Sequence, residues 1–216
     1  MAHYPIDQSE IPIRLFKSDF LEFFTHITPT AVVIIWLPFA GFMLVRGILF
    51  RPAQASWWFI PAAFLIGVFL WTISEYLLHR FIFHFTPHSP RQERIAYLIH
   101  GIHHHQPQCK TRLVMPVVVS IPLAVVFYLL FNLVLGALGA PHWAAPMISG
   151  FTIGYLTYDL THYATHHFPM RSPWARYLKR YHLKHHYTTP NARFGVSSPL
   201  WDIVFGTNPD LVNNRQ

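Results

Sequence analysis

Long apolar stretches dominate this chain and restrict what it can fold into. Four of them run approximately over residues 30–50, 57–78, 115–138 and 143–161. Each has roughly the 20 residues that a helix needs to cross the hydrocarbon core of a membrane. Only 12% of all residues are charged and 52% are hydrophobic, whereas a soluble domain carries roughly 25% charged residues. The pattern predicts an all-α integral membrane protein.

Short connections join the four predicted transmembrane helices into two hairpins. Apart from Arg46 and Arg51, all of the sixteen Lys and Arg residues lie before the first span, in residues 79–114 or in residues 162–216. Lys and Arg are enriched on the cytoplasmic side of membrane proteins, so we expect these segments and both termini to be cytoplasmic. The chain is therefore predicted to be one domain, residues 1–216, with a helical cap formed by residues 79–114 and 162–216.

Ten of the sixteen histidines form two matching sets, in each of which a pair is followed sixteen residues later by a triplet. Each set begins where a predicted span ends, so all ten imidazoles are expected at one surface of the membrane. Imidazole is a common ligand of transition metals, and ten are too many for one ion. The pattern predicts a dinuclear metal site built from His79, His84, His100, His103, His104, His162, His166, His182, His185 and His186.

Helical geometry fits most of these spacings. Residues three and four apart share one face of a helix, which holds for His162 and His166 and within both triplets. His79 and His84 are five residues apart, and a regular helix cannot place such a pair on one face. We therefore expect a π-bulge or the end of the helix between them, and such bulges are frequent at functional sites.

Two carboxylates near the histidine pairs are candidates for supporting the metal site. Asp159 lies three residues before His162, and Glu75 lies four residues before His79. A carboxylate commonly holds the second nitrogen of a metal-binding imidazole. The alternative for both residues is an interfacial charge that pairs with a nearby arginine.

The composition limits the metal chemistry and the classes of partner. Imidazole suits iron and zinc alike, but zinc has no redox chemistry, so an oxygenase would require iron. The single cysteine, Cys109, excludes an internal disulfide framework and is expected to be a free thiol. In so apolar a chain, membrane topology explains the formal charge of +7 better than a nucleic-acid partner does, and none is expected.

Five stretches of the chain resemble the fatty acid 2-hydroxylases, within the larger fatty acid hydroxylase and sterol desaturase superfamily. The histidine pattern is similar to that of the whole superfamily, whereas the motifs RLVMP, FGVSS and WDIVFGT are similar to the 2-hydroxylase branch in particular. The resemblance runs from about Phe16 to Thr207. The five stretches are EYLLHRFIFH (75–84), HGIHHHQP (100–107), RLVMP (112–116), YDLTHYATHH (158–167) and YHLKHHY (181–187).

This resemblance implies a non-haem di-iron centre on the cytoplasmic side of four transmembrane helices. The reaction it implies inserts one oxygen atom from O2 at carbon 2 of a long acyl chain, either free or carried on a sphingolipid or ceramide. The ten histidines named above are the ligands that it implies, with two iron ions as the cofactor and zinc as a substitute in isolated protein. Lys110, Arg112 and Arg193 follow the histidine triplets and are candidates to hold the lipid head group, with an ordinary interfacial role as the alternative.

Many members of that family carry an N-terminal cytochrome b5 domain, for which this chain has no room before its first span. We therefore expect electrons from a separate donor of the cytochrome b5 or ferredoxin type, with its reductase. The excess of Lys and Arg on the cytoplasmic face would attract an acidic redox protein, although these charges could also serve only to set the topology. Residues 213–216 contain no dilysine signal, which favours a bacterial inner membrane over the endoplasmic reticulum.

Three alternatives stay open on the sequence alone. A desaturase, or a sterol or other lipid hydroxylase of the same superfamily, would share the metal site and differ in its substrate tunnel. A metal transporter or sensor belongs to another class, but transporters place ionisable residues near the membrane midplane. A di-haem cytochrome would need histidines facing each other within the bilayer, and the first and third predicted spans contain none.

Overall fold

Helices account for all regular secondary structure in residues 5–212, the part of the chain that this computed structural model describes. Residues 213–216, on which the expectation about the dilysine signal rests, lie outside the described residues. Two π-helical turns, Leu78–Phe83 and Tyr97–Gly101, continue α3 and α4 without a break. The helices are α1 (Asp19–Phe23), α2 (Pro29–Leu49), α3 (Phe59–Leu77), α4 (Pro90–Ala96), α5 (Ile102–His105), α6 (Val117–Ala137), α7 (Ala144–His167), α8 (Pro173–Tyr187), α9 (Leu200–Val204) and α10 (Pro209–Val212).

Three of the described helices are long and apolar enough to cross a membrane: Pro29–Leu49, Phe59–Phe83 and Val117–Ala137. They match the first three predicted spans. The fourth predicted span, 143–161, is the helix α7, which has the length but is not apolar enough to be counted with them. Its buried Asp159, Thr152 and Ser149 lower the mean hydropathy of the helix. These polar side chains face protein, because α7 is packed against other helices along most of its length. Four spans are therefore not confirmed by length and composition.

The helix α7 is the centre of the bundle. It makes its most extensive contacts with α3 and then with α2. Aromatic side chains fill the space between these three helices: the Trp71 ring lies 5.1 Å from Phe151 and 5.3 Å from Tyr155, and the Trp36 ring lies 5.7 Å from Tyr155. Such edge-to-face contacts stabilise a core beyond the area that they bury. The helix α6 lies on the outside, with only 11% of its apolar window buried.

The cap begins where α3 and α7 end. Ser172 is the N-cap of α8, and its hydroxyl accepts a hydrogen bond from the Ala175 N–H. Pro173 follows in the first turn, where a proline is favourable. One face of α8 is buried and carries three histidines, while Arg176, Arg180 and Lys184 are exposed on the other. This amphipathic helix therefore turns its histidine-bearing face to the protein interior and its basic face to solvent.

The segment before α2 packs against the cap. Its backbone is hydrogen-bonded to the segment around the first triplet, from Asp7 N–H to the His105 carbonyl at 2.7 Å and from Ile27 N–H to the Thr111 carbonyl at 2.9 Å. The amide of Gln106 accepts from Ile13 N–H at 2.9 Å. These contacts fix the segment over the histidines and over a cavity described below.

Candidate metal centre

The ten predicted histidines converge into two groups of five, in each of which the ligand atoms all lie within 4.8 Å of one another. We call the two groups site A and site B. Each site takes four histidines from one sequence set and one from the other, so that the sets and the sites do not coincide. Site A consists of His79, His84, His100, His104 and His185, and site B consists of His103, His162, His166, His182 and His186.

The exchange of one histidine between the sets follows from helix geometry. Adjacent residues on an α-helix are rotated by about 100° from each other, so two consecutive histidines cannot face the same ion. His103 therefore faces site B while His104 faces site A, and His185 faces site A while His186 faces site B. The two helical segments α5 and α8 thus lie between the sites and contribute to both.

Each of the ten imidazoles points its Nε2 atom into its site. In site A, Nε2 of His100 lies 3.1 Å from Nε2 of both His79 and His104, and the His84 and His185 atoms are also 3.1 Å apart. In site B the corresponding separations are 2.9 Å for His103 and His162, 3.0 Å for His166 and His182, and 3.0 Å for His182 and His186.

These separations fit metal ions better than hydrogen bonds. A neutral imidazole nitrogen carries either one N–H or one lone pair, so Nε2 of His100 cannot bond to two other Nε2 atoms at once. Ligands held about 2.0–2.1 Å from one ion lie roughly 2.9–3.4 Å from each other, which matches both sites. The donor set can therefore hold two metal ions, one in each site.

Burial keeps these imidazoles in the form that binds metal. Loss of hydration lowers the pKa of His100, His182 and His185 well below the ordinary value, and the neighbouring imidazoles lower the pKa further. A histidine must be neutral to offer its lone pair. Burial therefore favours the neutral, metal-binding form of these three ligands.

The irregularity predicted between His79 and His84 is confirmed. The segment Leu78–Phe83 is a π-helical turn, closed by a hydrogen bond of 3.1 Å from His84 N–H to the His79 carbonyl. The wider turn brings the two rings to 4.9 Å between centroids. The second π-helical turn, Tyr97–Gly101, leads into the first triplet and was not predicted, because the spacing of that triplet also fits a regular helix.

The prediction that Glu75 and Asp159 hold imidazoles directly is wrong. Glu75 accepts from the N–H groups of Val196 and Ser197, and Asp159 accepts from Met115 N–H and from the Tyr155 hydroxyl. Both carboxylates point sideways from their helices into the loops that cover the site. Side-chain direction of this kind depends on which loop packs against the helix, and spacing along the sequence does not reveal it.

The second nitrogens of two ligands are instead bound by backbone carbonyls. His79 Nδ1 donates to the Phe194 carbonyl at 2.5 Å, and His185 Nδ1 donates to the Ala192 carbonyl at 2.7 Å. Sequence reasoning missed these partners. The motif FGVSS, which begins at Phe194, and the candidate Arg193 were the signals that pointed to this loop.

The three candidate cations have different surroundings. Lys110 is exposed and pairs with Glu10 at 2.8 Å, and Arg193 binds Asp210 with both terminal nitrogens at 2.8 and 2.9 Å. Arg112 is buried, pairs with Glu22 and lines a cavity beside the histidines. Of the three cations, only Arg112 is in a position to meet a molecule that reaches the metal sites through that cavity.

That cavity has a volume of about 260 Å³ and is lined mainly by apolar side chains. It lies between the segment before α2, the first histidine triplet and the beginning of α6. His100 of site A and both His103 and His162 of site B contribute to its wall. An apolar molecule in the cavity would therefore touch ligands of both metals.

The fatty acid hydroxylase family matches residues 64–207, a range that contains all ten histidines. The chain belongs to the fatty acid hydroxylase family. The resemblance inferred from the motifs is confirmed, and the chain is an oxidoreductase and an integral membrane protein.

Similar proteins occur in plants, fungi and mammals. A dihydroceramide fatty acyl 2-hydroxylase of Arabidopsis thaliana is 39% identical over 208 residues, which cover 96% of this chain and 84% of that protein. The fatty acid 2-hydroxylase of Homo sapiens is 35% identical over 95% of this chain and 58% of its own length. This chain therefore spans somewhat more than half of the human protein.

A solved structure has the same fold. It is described as full-length scs7p with only the hydroxylase domain visible, and it is 38% identical to this chain with a TM-score of 0.79. The match covers 88% of this chain and 69% of the other. The helical bundle and cap described above are therefore the fold of the family.

Proposed function

We propose that this chain catalyses 2-hydroxylation of long-chain fatty acyl groups, free or carried on a ceramide or other sphingolipid. One oxygen atom of O2 enters the C–H bond at carbon 2, and the other leaves as water after two electrons and two protons are supplied. The observation that carries the proposal is the cavity of about 260 Å³, which joins an apolar lining to histidines of both sites. The names of the plant and human relatives support carbon 2 as the position.

Two iron ions are the proposed cofactor, held by Nε2 atoms of the ten histidines. Iron in sites A and B would supply the activation of O2 and the oxidation of the C–H bond, which zinc in the same ligands could not. The chain itself contributes rigid placement, since nine of the ten imidazoles are buried and His104 is partly exposed. Buried ligands hold their orientation during the reaction and keep bulk water from the oxidised carbon.

Arg112 is the proposed contact for the polar end of the substrate. Its terminal nitrogens are engaged by Glu22, His26 and the Ile13 carbonyl. Its Nε–H is buried and has no hydrogen-bond partner among the described residues. A carbonyl next to carbon 2 could accept this hydrogen bond, which would place the reacting carbon beside the histidines and leave the acyl tail among the apolar side chains.

The test is product analysis with isotopic oxygen. Cells expressing the chain would be supplied with a saturated long-chain fatty acid under ¹⁸O2, and their lipids analysed by mass spectrometry. We expect 2-hydroxy acyl groups that carry one ¹⁸O atom, and none from the matched variant His103→Ala. A new double bond in place of the hydroxyl group would show that the chain is a desaturase.

We further propose that a separate electron donor, of the cytochrome b5 or ferredoxin type with its reductase, docks on the outer face of α8. Arg176, Arg180 and Lys184 are exposed there, while the opposite face of the helix carries ligands of both sites.

Complementary charge accelerates association by tenfold or more at low salt. The double variant Arg176→Glu/Arg180→Glu should therefore slow reduction by roughly tenfold at low salt and less at high salt. The control variant Arg91→Glu, on α4, should be reduced at the same rate as the unaltered protein. Equal slowing of reduction in the control and in the double variant would contradict the proposal.

A further inference from the structure

The loop between α8 and α9 accepts hydrogen bonds from two ligands of site A and, among the described residues, from no ligand of site B. We call residues 192–198 the carbonyl loop. Its Ala192 and Phe194 carbonyls accept the Nδ1 hydrogens of His185 and His79, at 2.7 and 2.5 Å. Both imidazoles have no exposed surface, and both are ligands of site A.

One end of the carbonyl loop is held by Glu75. One carboxylate oxygen accepts from Val196 N–H at 2.7 Å and from Ser197 N–H at 2.8 Å, and the other accepts from the Ser197 hydroxyl at 2.5 Å. Glu75 lies on α3, one helical turn before His79. The helix that carries a ligand of site A therefore also fixes the loop that orients this ligand.

The other end of the loop is held by Asp202, on α9. Its two oxygens accept from Phe194 N–H at 2.8 Å and from Gly195 N–H at 2.7 Å. The four consecutive N–H groups of residues 194–197 thus all donate hydrogen bonds to two buried carboxylates. The loop has no space for a side chain at Gly195, because a Cβ atom there would lie 2.1 Å from the Ser198 carbonyl oxygen and 2.9 Å from Asp202.

Site B has a different environment. The Nδ1 atoms of four of its five histidines are buried without a hydrogen-bond partner among the described residues: His103, His166, His182 and His186. In site A, the Nδ1 atom of His84 is in the same state. The carbonyl loop therefore supports two ligands of site A, His79 and His185, and accepts no hydrogen bond from a site B ligand among the described residues. This difference is not visible in the two histidine sets of the sequence, which have the same triplet spacing.

We propose that Glu75 and Asp202 are positioning residues that act through the carbonyl loop to raise the metal affinity of site A selectively. An Nδ1–H···O=C hydrogen bond fixes the tautomer and the ring orientation of a ligand and increases its basicity. Loss of such a partner typically lowers metal affinity by about 10–100-fold. The inference rests on the proposed function only in that the ten histidines bind two metal ions.

The experiment measures metal retention rather than activity. The full chain, purified in detergent and loaded with Zn²⁺, would be dialysed against a graded series of chelator concentrations, and its metal-to-protein ratio determined by elemental analysis. The variants Glu75→Gln and Asp202→Asn should release the ion of site A at a chelator concentration about 10–100-fold lower. The ion of site B should leave at the same concentration as in the unaltered protein and serves as an internal report that the variant is folded.

Two double histidine variants, used as backgrounds, show from which site the metal ion is lost. In His166→Ala/His186→Ala, which weakens site B, adding Glu75→Gln should lower metal retention strongly. In His84→Ala/His104→Ala, which weakens site A, adding Glu75→Gln should change little. A loss of equal size in both backgrounds would overturn the inference, because the carboxylate would then support the fold rather than one site.

Two further variants give a control and a second route. Asp159→Asn removes an equally buried carboxylate that bonds to another loop and should leave the ion of site A in place. Gly195→Ala leaves every carboxylate and ligand unchanged but displaces the carbonyl loop, and it should release the ion of site A. Unchanged metal retention in Glu75→Gln and Asp202→Asn would overturn this inference but not the proposed function. Failure of the unaltered chain to bind two ions would overturn the proposed function.

Discussion

Consecutive histidines face different sites in this protein, so neighbours in the sequence are assigned to different groups. His103 and His104 are neighbours in the sequence, yet the first belongs to site B and the second to site A. The rotation of about 100° between adjacent helical residues explains why. Grouping by position in space, and not by position in the sequence, should therefore govern the effects of ligand substitutions.

This assignment predicts how double variants behave. His84→Ala/His185→Ala removes two ligands of one site, so it should lose the ion of site A and keep that of site B. His84→Ala/His103→Ala removes one ligand from each site and should weaken both ions to a similar extent. Chelator titration with measurement of bound metal separates the two outcomes. Loss of both ions in the first variant would contradict the assignment of His185.

At the scale of the helices, close contact between α3 and α7 sets the position of the metal ligands. A Cβ atom on Gly67 would lie 2.0 Å from the Met147 carbonyl oxygen, and one on Gly150 would lie 1.9 Å from the Phe64 carbonyl oxygen. Small residues allow such approach of backbones in membrane helices. The ends of the same two helices carry His79 and His162, so the distance between the helices also fixes the distance between these ligands.

We predict that Gly150→Ala destabilises the protein by about 1–3 kcal/mol or more, because the added methyl group forces the two helices apart. It should also lower metal retention, since the ligands at the helix ends move with the backbone. The matched control is Gly136→Ala in α6, where nothing lies within 4 Å of the added atom. Thermal unfolding in detergent compares the two variants, and an equal effect would argue against close packing of α3 and α7.

Spacing along an element was informative where it was irregular. The five-residue separation of His79 and His84 predicted a departure from the α-helix, and the structure has a π-helical turn at that position. The physical reason is local, since the geometry of one turn decides whether two side chains share a face. The partners of Glu75 and Asp159 could not be predicted in this way, because their loops lie 121 and 44 residues away in the chain.

At the scale of the whole molecule, the number of helices that cross the membrane depends on α7. Three have the length and apolarity of spans, and α7 is enclosed by two of them. A helix buried among other helices needs fewer apolar residues, because its polar groups face protein rather than lipid. On this ground we propose that α7 is the fourth span. Because fourteen of the sixteen Lys and Arg residues lie in the cap and before the first span, we also propose that the cap lies in the cytoplasm.

Cysteine labelling in intact cells tests this topology. In a Cys109→Ser background, we expect Gln54→Cys and Pro141→Cys, in the two hairpin tips, to react with a maleimide that cannot cross membranes. Arg176→Cys, on α8, should react only after the cells are permeabilised. Labelling of Pro141→Cys and Arg176→Cys from the same side would show that α7 does not cross the membrane.

The sequence by itself determined the helical class, three of the four predicted spans, the ten histidines that converge in the fold and the irregular turn after His79. Each of these depends on apolar length or on spacing within one or two turns, and both are local properties of the chain. Only the tertiary structure decided which histidines share a site, which loop Glu75 holds, and that Arg112 rather than Lys110 or Arg193 lines the cavity. Those outcomes depend on contacts between residues far apart in the chain, and the packing of helices and loops fixes such contacts only when the whole molecule has folded.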